Sequence, residues 1–191
     1  PKDMVSGDFY WCAFRNNKKY VVVGDCTGHG VSGGLLSIMG HFYLEEIILE
    51  FPEYGSDRIL EELKKRTTSS LTNENADSLF DEGMHLSLCI YNETTKELSF
   101  SGSYQSLFVV RKGELIELKG DRISIGDDYA AKSGGFKVMK MAMIPNDEVY
   151  FSTDGYIDQL NVEGQNTFGR KRFRQLLLDV HGQSIEEKRN N

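Results

Sequence analysis

Three aspartates stand where a chain could do chemistry with a charged guest: Asp8 in SGDFYW, Asp25 in VVGDCTGHG and Asp154 in YFSTDGYID. Asp25 and Asp154 close apolar, strand-like runs, and glycine is adjacent to Asp8 and Asp154. A carboxylate at a strand end sits on rigid scaffold yet points into a cleft. A neighbouring glycine lets the backbone approach, so a carbonyl can join it. Carboxylates, carbonyls and waters together make an oxygen-rich site suited to Mg²⁺ or Mn²⁺. Unneutralised, such carboxylates repel one another. Two bound cations could activate a water for in-line attack on phosphorus without a protein nucleophile. Aspartate beside glycine is also ordinary turn chemistry. The residues alone leave the metal site and the plain turns level.

The stretch around Asp25 carries a rival. Gly28-His29-Gly30-Val31-Ser32-Gly33 matches GxGxxG between a strand and a helix, as a dinucleotide fold requires. That fold also needs a parallel strand after the helix, with an acidic end roughly 20 residues beyond the glycines. Glu45, Glu46 and Glu50 fall there inside the helical pattern, and a second helix follows. The dinucleotide reading is therefore disfavoured. A cysteine-dependent phosphatase is excluded by spacing, because Lys18, Ser32 and Thr95 stand where its arginine would be. No Gly-Lys-Ser/Thr loop and no HExxH pair occurs. His29, beside Asp25 in sequence, is a candidate for protonating a leaving oxygen, or else a turn histidine bonded to backbone. His41 and His181 fit helix-surface or helix-end positions. The basic run GRKRFR, Arg170 to Arg174, reads as the solvated face of a helix, with an acidic or phosphorylated partner as the alternative.

These residues need elements to hold them. Phe9–Ala13 and Lys19–Gly24 form a hairpin across Asn16-Asn17. Leu35, Ile38, Met39, Phe42, Leu44, Ile47, Ile48 and Phe51 follow helical spacing, and Pro52 ends that helix. A second helix spans 57–68, capped by Ser56, with Ile59, Leu60 and Leu63 inward. The polar run 72–82 reads as a mobile loop near a substrate or partner surface. HLSLCIYN and KELSFSGSY pair across ETTK, and SLFVVRKGELIELKG folds back at Lys112-Gly113. KVMKMAMI and DEVYFSTDG add strands. Phe173, Leu176, Leu177 and Val180 mark a helix, and Ser184 with Glu187 forms a capping box. Strands, two helices, a run of antiparallel strands and a last helix give an α+β fold, helices packed on antiparallel sheets.

The chain has 191 residues, enough for one domain with a substantial core. A formal charge of −7 argues against a nucleic-acid binder. Cys12, Cys26 and Cys89 form no CxxC pair and point to a reducing compartment. Without a signal peptide or a long apolar run, the expectation is a cytoplasmic protein with no direct membrane insertion. The first residues look like mid-domain sequence, and a helix begins as the chain stops. The expectation is thus a single domain over 1–191, excised from a longer protein.

SGDFYW, GDCTGHGVSGGLLSIMG, ISIG, FSTDGYIDQLN and FGRKRFRQLL together resemble, in order and over nearly the whole chain, the SpoIIE-type metal-dependent protein phosphatases (the PPM, protein phosphatase 2C-like family). The resemblance implies an antiparallel β-sandwich flanked by helices and a binuclear Mn²⁺/Mg²⁺ centre hydrolysing phosphoserine or phosphothreonine on a protein. Asp8 and Asp25 would be metal ligands, Asp25 bridging both ions. The Cys26 carbonyl would join them, and Asp154 would ligate from the other side. It further implies a STAS-type anti-sigma antagonist as substrate and a regulatory domain in the same protein, acting through the helix from Val31. The chain departs from the family pattern at His85, where similar sequences often carry Asp. Many relatives have Pro and Ala where Ser32, Gly33 and Gly34 stand, and two glycines weaken a first helical turn. The opening strand and a terminal strand preceded by an Asp pair are not in this sequence. The alternative is a phosphatase-fold module that binds without hydrolysis.

Overall fold

The computed structural model describes residues 6–28, 30–71, 83–126, 135–160 and 166–189. The expectations for His29 and for the loop 72–82 lie outside these residues. The chain opens with a hairpin of β1 (Phe9–Arg15) and β2 (Lys18–Cys26). Asn16 and Asn17 turn it at φ 50° and 59°, the left-handed pair that asparagine tolerates. Helices α1 (Val31–Glu50) and α2 (Ser56–Leu71) follow. Then come strands β3 (Met84–Asn92), β4 (Glu97–Ser103), β5 (Leu107–Arg111), β6 (Glu114–Leu118), β7 (Met139–Ala142) and β8 (Glu148–Phe151). The chain ends with α3 (Asp154–Ile157), α4 (Gly169–Asp179) and α5 (Ile185–Arg189).

Two sheets result, one in the order β1-β2-β3-β4-β7 and one in the order β6-β5-β8. Every pairing of these strands is antiparallel. The dinucleotide reading of Gly28 to Gly33 is thereby overturned, because α1 leads into α2 and then into an antiparallel strand instead of a parallel one.

Strand alternation sorts the apolar residues into three layers of contact. Trp11, Tyr20, Val22, Leu86 and Leu88 face Leu44, Ile47 and Ile48 of α1 and Ile59, Leu60 and Leu63 of α2. Cys89, Leu98, Phe100 and Leu107 fill the space between the sheets, with Met139, Val149 and Phe151 against them. Phe108 and Val110 pack outward on Phe173 and Leu177 of α4. Helices, sheet, sheet and helix thus stack as the expected sandwich. No helix among the described residues is long and apolar enough to cross a membrane.

Local details depart from the sequence reading. Ser56 is the first residue of α2, not its cap. The cap position falls on Gly55, whose carbonyl accepts the Ile59 N–H at 3.0 Å. The Ser56 hydroxyl instead pairs with Ser101 Oγ at 2.8 Å, tying α2 to β4 through two buried serines. The capping box at the end does form: Ser184 N–H donates to Glu187 Oε2 at 2.8 Å and Glu187 N–H to Ser184 Oγ at 3.3 Å. Gly33 and Gly34 are buried and inside α1, which begins at Val31 despite them. Gly33 has a packing reason: a Cβ there would lie 2.8 Å from the Gly28 carbonyl oxygen and 3.2 Å from Gly7 Cα. α1 also keeps an apolar outer stripe, since Val31, Leu35, Ile38 and Phe42 are exposed.

Candidate metal centre

Sheet register assembles the site. Phe9 pairs with Gly24, which sets Asp8 opposite Asp25 at the mouth of the hairpin. On its other side Asp25 pairs with His85 of β3. Leu86 pairs with Ser103, so Tyr104 falls beside His85, their rings 4.5 Å apart. Partners in an antiparallel pair share a face. Asp8, Asp25, His85 and Tyr104 therefore form a row across one end of the first sheet. The row lies on the face that turns, further along β3, to Cys89 and the second sheet. Tyr104 is held in the left-handed region at φ 57°, a costly conformation outside glycine. Its N–H donates to the Asp121 carbonyl at 2.8 Å.

Asp154 reaches the row from the second sheet. It opens α3 just after β8, and its neighbour Thr153 donates from Oγ1 to Asp8 Oδ2 at 3.5 Å. The turn after β2 is pinned from two sides. Thr27 N–H donates to the Gly83 carbonyl at 2.8 Å, and Gly83 N–H donates back to Thr27 Oγ1 at 2.7 Å. The Cys26 N–H donates to the Gly7 carbonyl at 3.3 Å. A Cβ on Gly7 would sit 2.6 Å from the Cys26 carbonyl oxygen, so glycine is what lets these two backbones touch. Gly155 needs no such exemption, for a Cβ there meets nothing closer than 3.7 Å.

Electrostatics shows how tightly the carboxylates converge. Asp25 is half-buried, whereas Asp8 and Asp154 are exposed. Burial, then the charges of Asp154 and Asp8, then hydrogen bonds to both, push the Asp25 carboxyl up to about 7. Among the described residues, no cation figures in the groups that set it. His85 is pulled below its ordinary value by burial, against the opposing charge of Asp154. The buried Cys26 thiol is pushed up to about 12, first by burial and then by Asp25 and Asp8, so it is no thiolate nucleophile. Carboxylates that hold one protonated for want of a counter-charge have the chemistry of a divalent-cation site. Among the described residues, though, no three or more His, Cys, Asp or Glu side chains are already closed around one point at metal-binding geometry. The donors converge, and the cage is open.

Asp8 and Asp25 thus face each other across the hairpin, the Cys26 backbone touches Gly7 beside them, and Asp154 interacts with Asp25 from the end of β8. His85, which the sequence reading set aside as a departure, lies in the row itself. Tyr104 and Thr153 were missed. Their neighbours in space are set by strand register, and no local motif signals it. The GRKRFR run is also only partly a solvated face. Arg170 and Arg174 line a cleft of about 90 Å³ that Tyr104, Thr153 and Asp154 share.

The family model described as Stage II sporulation protein E (SpoIIE) matches residues 16–189. The SiaA-PP2C domain of Pseudomonas aeruginosa is similar at 29% identity and TM-score 0.85, over 100% of this chain and 72% of that one. The PP2C phosphatase domain of SpoIIE from Bacillus subtilis, solved with a fragment of its regulatory domain, matches at 18% identity and TM-score 0.65, over 82% of this chain and 43% of that one. RsbX in complex with magnesium matches at 15% identity and TM-score 0.64, over 98% of this chain and 79% of that one. No curated protein matches the sequence.

Proposed function

Because this chain belongs to the SpoIIE family, we propose that it is a metal-dependent serine/threonine phosphoprotein phosphatase of bacterial signalling. The observation that carries the reading is the convergence of Asp8, Asp25 and Asp154 with no cationic side chain among the described residues that shift Asp25. Asp25, central in the row, would hold two Mn²⁺ or Mg²⁺ ions together with Asp8, the Cys26 carbonyl and Asp154. The magnesium in RsbX, a protein of the same fold, supports an ion of this kind. When bound, such ions supply a water acidic enough to attack phosphorus and neutralise the phosphoryl oxygens.

The rest of the task falls to the chain. The two strand ends keep the carboxylates at fixed separation. The Thr27–Gly83 clasp holds the Cys26 backbone in place. The Thr153 hydroxyl orients Asp8. Asp8 and Asp154 are exposed, so a phosphorylated side chain on a protein surface can reach them. His29 is proposed to protonate the leaving oxygen. The phosphoprotein is proposed to be a STAS-type anti-sigma antagonist, and a regulatory domain is proposed in the full-length protein, as the SpoIIE structure carries a piece of one.

Asp25→Ala is expected to abolish phosphate release from p-nitrophenyl phosphate and from a phosphoserine peptide while the far-ultraviolet circular dichroism stays native. Mn²⁺-dependent turnover surviving in that variant would refute the mechanism. The open cage and His85 in the row favour a second reading, a phosphatase-fold module that binds a phosphoprotein without hydrolysing it. The two part on one titration: Mn²⁺ produces turnover in the first and only thermal stabilisation in the second.

A further inference from the structure

The cleft beside Asp154 has a second, positive pole. Tyr104, Asp154, Phe108 and Phe173 line it together with Arg170 and Arg174 of α4. Arg170 and Arg174 are four residues apart and so share a helix face. Their electrostatic situations differ. Arg174 is in an ion pair with Glu117. Arg170 is exposed, and among the described residues it has no ion pair or hydrogen bond. The stretch from Gly169 to Leu178 holds four cations, Arg170, Lys171, Arg172 and Arg174, and no carboxylate. The chain around it carries a formal −7, so this is a local inversion of sign next to the candidate site.

A cleft of about 90 Å³ admits a side chain and a few waters, not a folded element. An anion entering it meets opposite conditions at the two ends. At Asp154 it is repelled unless a cation intervenes. At Arg170 it meets an unpaired guanidinium whose flat fork suits a carboxylate. We propose that Arg170 binds the carboxylate of an acidic residue flanking the phosphorylated serine or threonine, and so selects acid-flanked phosphoproteins. The assignment rests on the phosphatase reading above for the presence of a phosphorylated residue at the aspartate end. Glu117 keeps Arg174 in place, and Phe108 and Phe173 offer apolar surface to the stem of the flanking side chain.

The test uses the whole chain in Mn²⁺ and two fluorescent peptides carrying a non-hydrolysable phosphonate in place of phosphoserine. They differ only in their flanks, glutamate in one and lysine in the other. Fluorescence anisotropy is expected to show about tenfold tighter binding of the glutamate peptide, falling as salt is raised. Arg170→Glu should invert that preference. Lys112→Glu, the same charge change at the far end of the β5–β6 hairpin, should leave it standing. Arg170→Ala should abolish the preference without inverting it. Equal binding of both peptides, or a preference that Arg170→Glu leaves intact, would overturn the proposal. Hydrolysis of p-nitrophenyl phosphate by the unmodified protein separates the two ideas. An inverting preference without hydrolysis would retain the acidic-flank site and refute the enzyme. Hydrolysis without a preference would do the reverse.

Discussion

Replacing Asp25 by asparagine should make the cation-free protein more stable, and increasingly so as pH rises. The carboxyl stands at about 7 in the folded chain against 3.8 when unperturbed. A folded value raised in this way favours the fold below about pH 4, and the advantage is lost as pH climbs through 7. At 1.36 kcal/mol per pKa unit the full difference is about 4 kcal/mol, and because Asp25 is only partly buried, solvent screening cuts it to ~2 kcal/mol. In a domain of this size 1 kcal/mol moves Tm by roughly 2–4 °C, so the gap between Asp25→Asn and the unmodified protein should widen by ~4–8 °C from pH 4 to pH 8. Differential scanning calorimetry in EDTA measures it, and subtracting the variant's profile removes the titrating groups that do not interact with Asp25, leaving the linked response of Asp25, Asp8 and Asp154. Saturating Mn²⁺ should close the gap at pH 8, because the ion supplies the counter-charge that the side chains lack. Parallel Tm-against-pH curves for the two proteins in EDTA would refute the electrostatic reasoning.

Three further outcomes follow from the same geometry. Gly33→Ala, which on helix propensity alone should gain up to ~1 kcal/mol, should instead lower Tm. Its Cβ would press on the Gly28 carbonyl at 2.8 Å, and a thermal melt with and without Mn²⁺ checks both fold and turn. His85→Asp adds a carboxylate opposite Asp25. It should tighten Mn²⁺ binding severalfold by isothermal titration calorimetry while lowering the cation-free Tm at pH 8. Phe100→Ala, emptying the space between the sheets, should cost ~3–5 kcal/mol in urea unfolding.

Much of the fold was legible because local chemistry marked it. Asn16-Asn17 and Lys112-Gly113 announced their hairpins, Pro52 the end of α1, and Ser184 with Glu187 the last helix. Periodicity pointed to helices on antiparallel sheets, and the resemblance implied the sandwich of two sheets between helices. The single turn of α3 was not legible, since YFSTDGYID reads as one strand and turn until Asp154 begins a helix. KVMKMAMI shrank to Met139–Ala142, the four residues that β4 pairs. Asp8, Asp25 and Asp154 were legible as candidates and His85 only as a departure from the family pattern, whereas Tyr104 and Thr153 were not legible. A strand's register against a distant strand depends on where both meet the core, and composition carries no trace of that. Gly33 shows the limit from the other side. Propensity counted it as a weakness, while the packing of Gly7, Gly28 and Gly33 requires a residue without a side chain.

The carboxylates hang from different layers of the sandwich, Asp8 and Asp25 at the β1–β2 hairpin of one sheet and Asp154 at the start of α3, just beyond β8 of the other. An ion held by all three would therefore act mechanically as a rivet. It would close, through coordination, a loop of chain from β2 to just beyond β8 and hold the sheets together at that end. Loop closure of such length weighs on the unfolded ensemble much as a disulfide does. Amide exchange in β5 and β8 would then slow when metal binds at the opposite sheet's edge. The cation's occupancy would be written into the stiffness of the whole sandwich, far beyond the few atoms it touches.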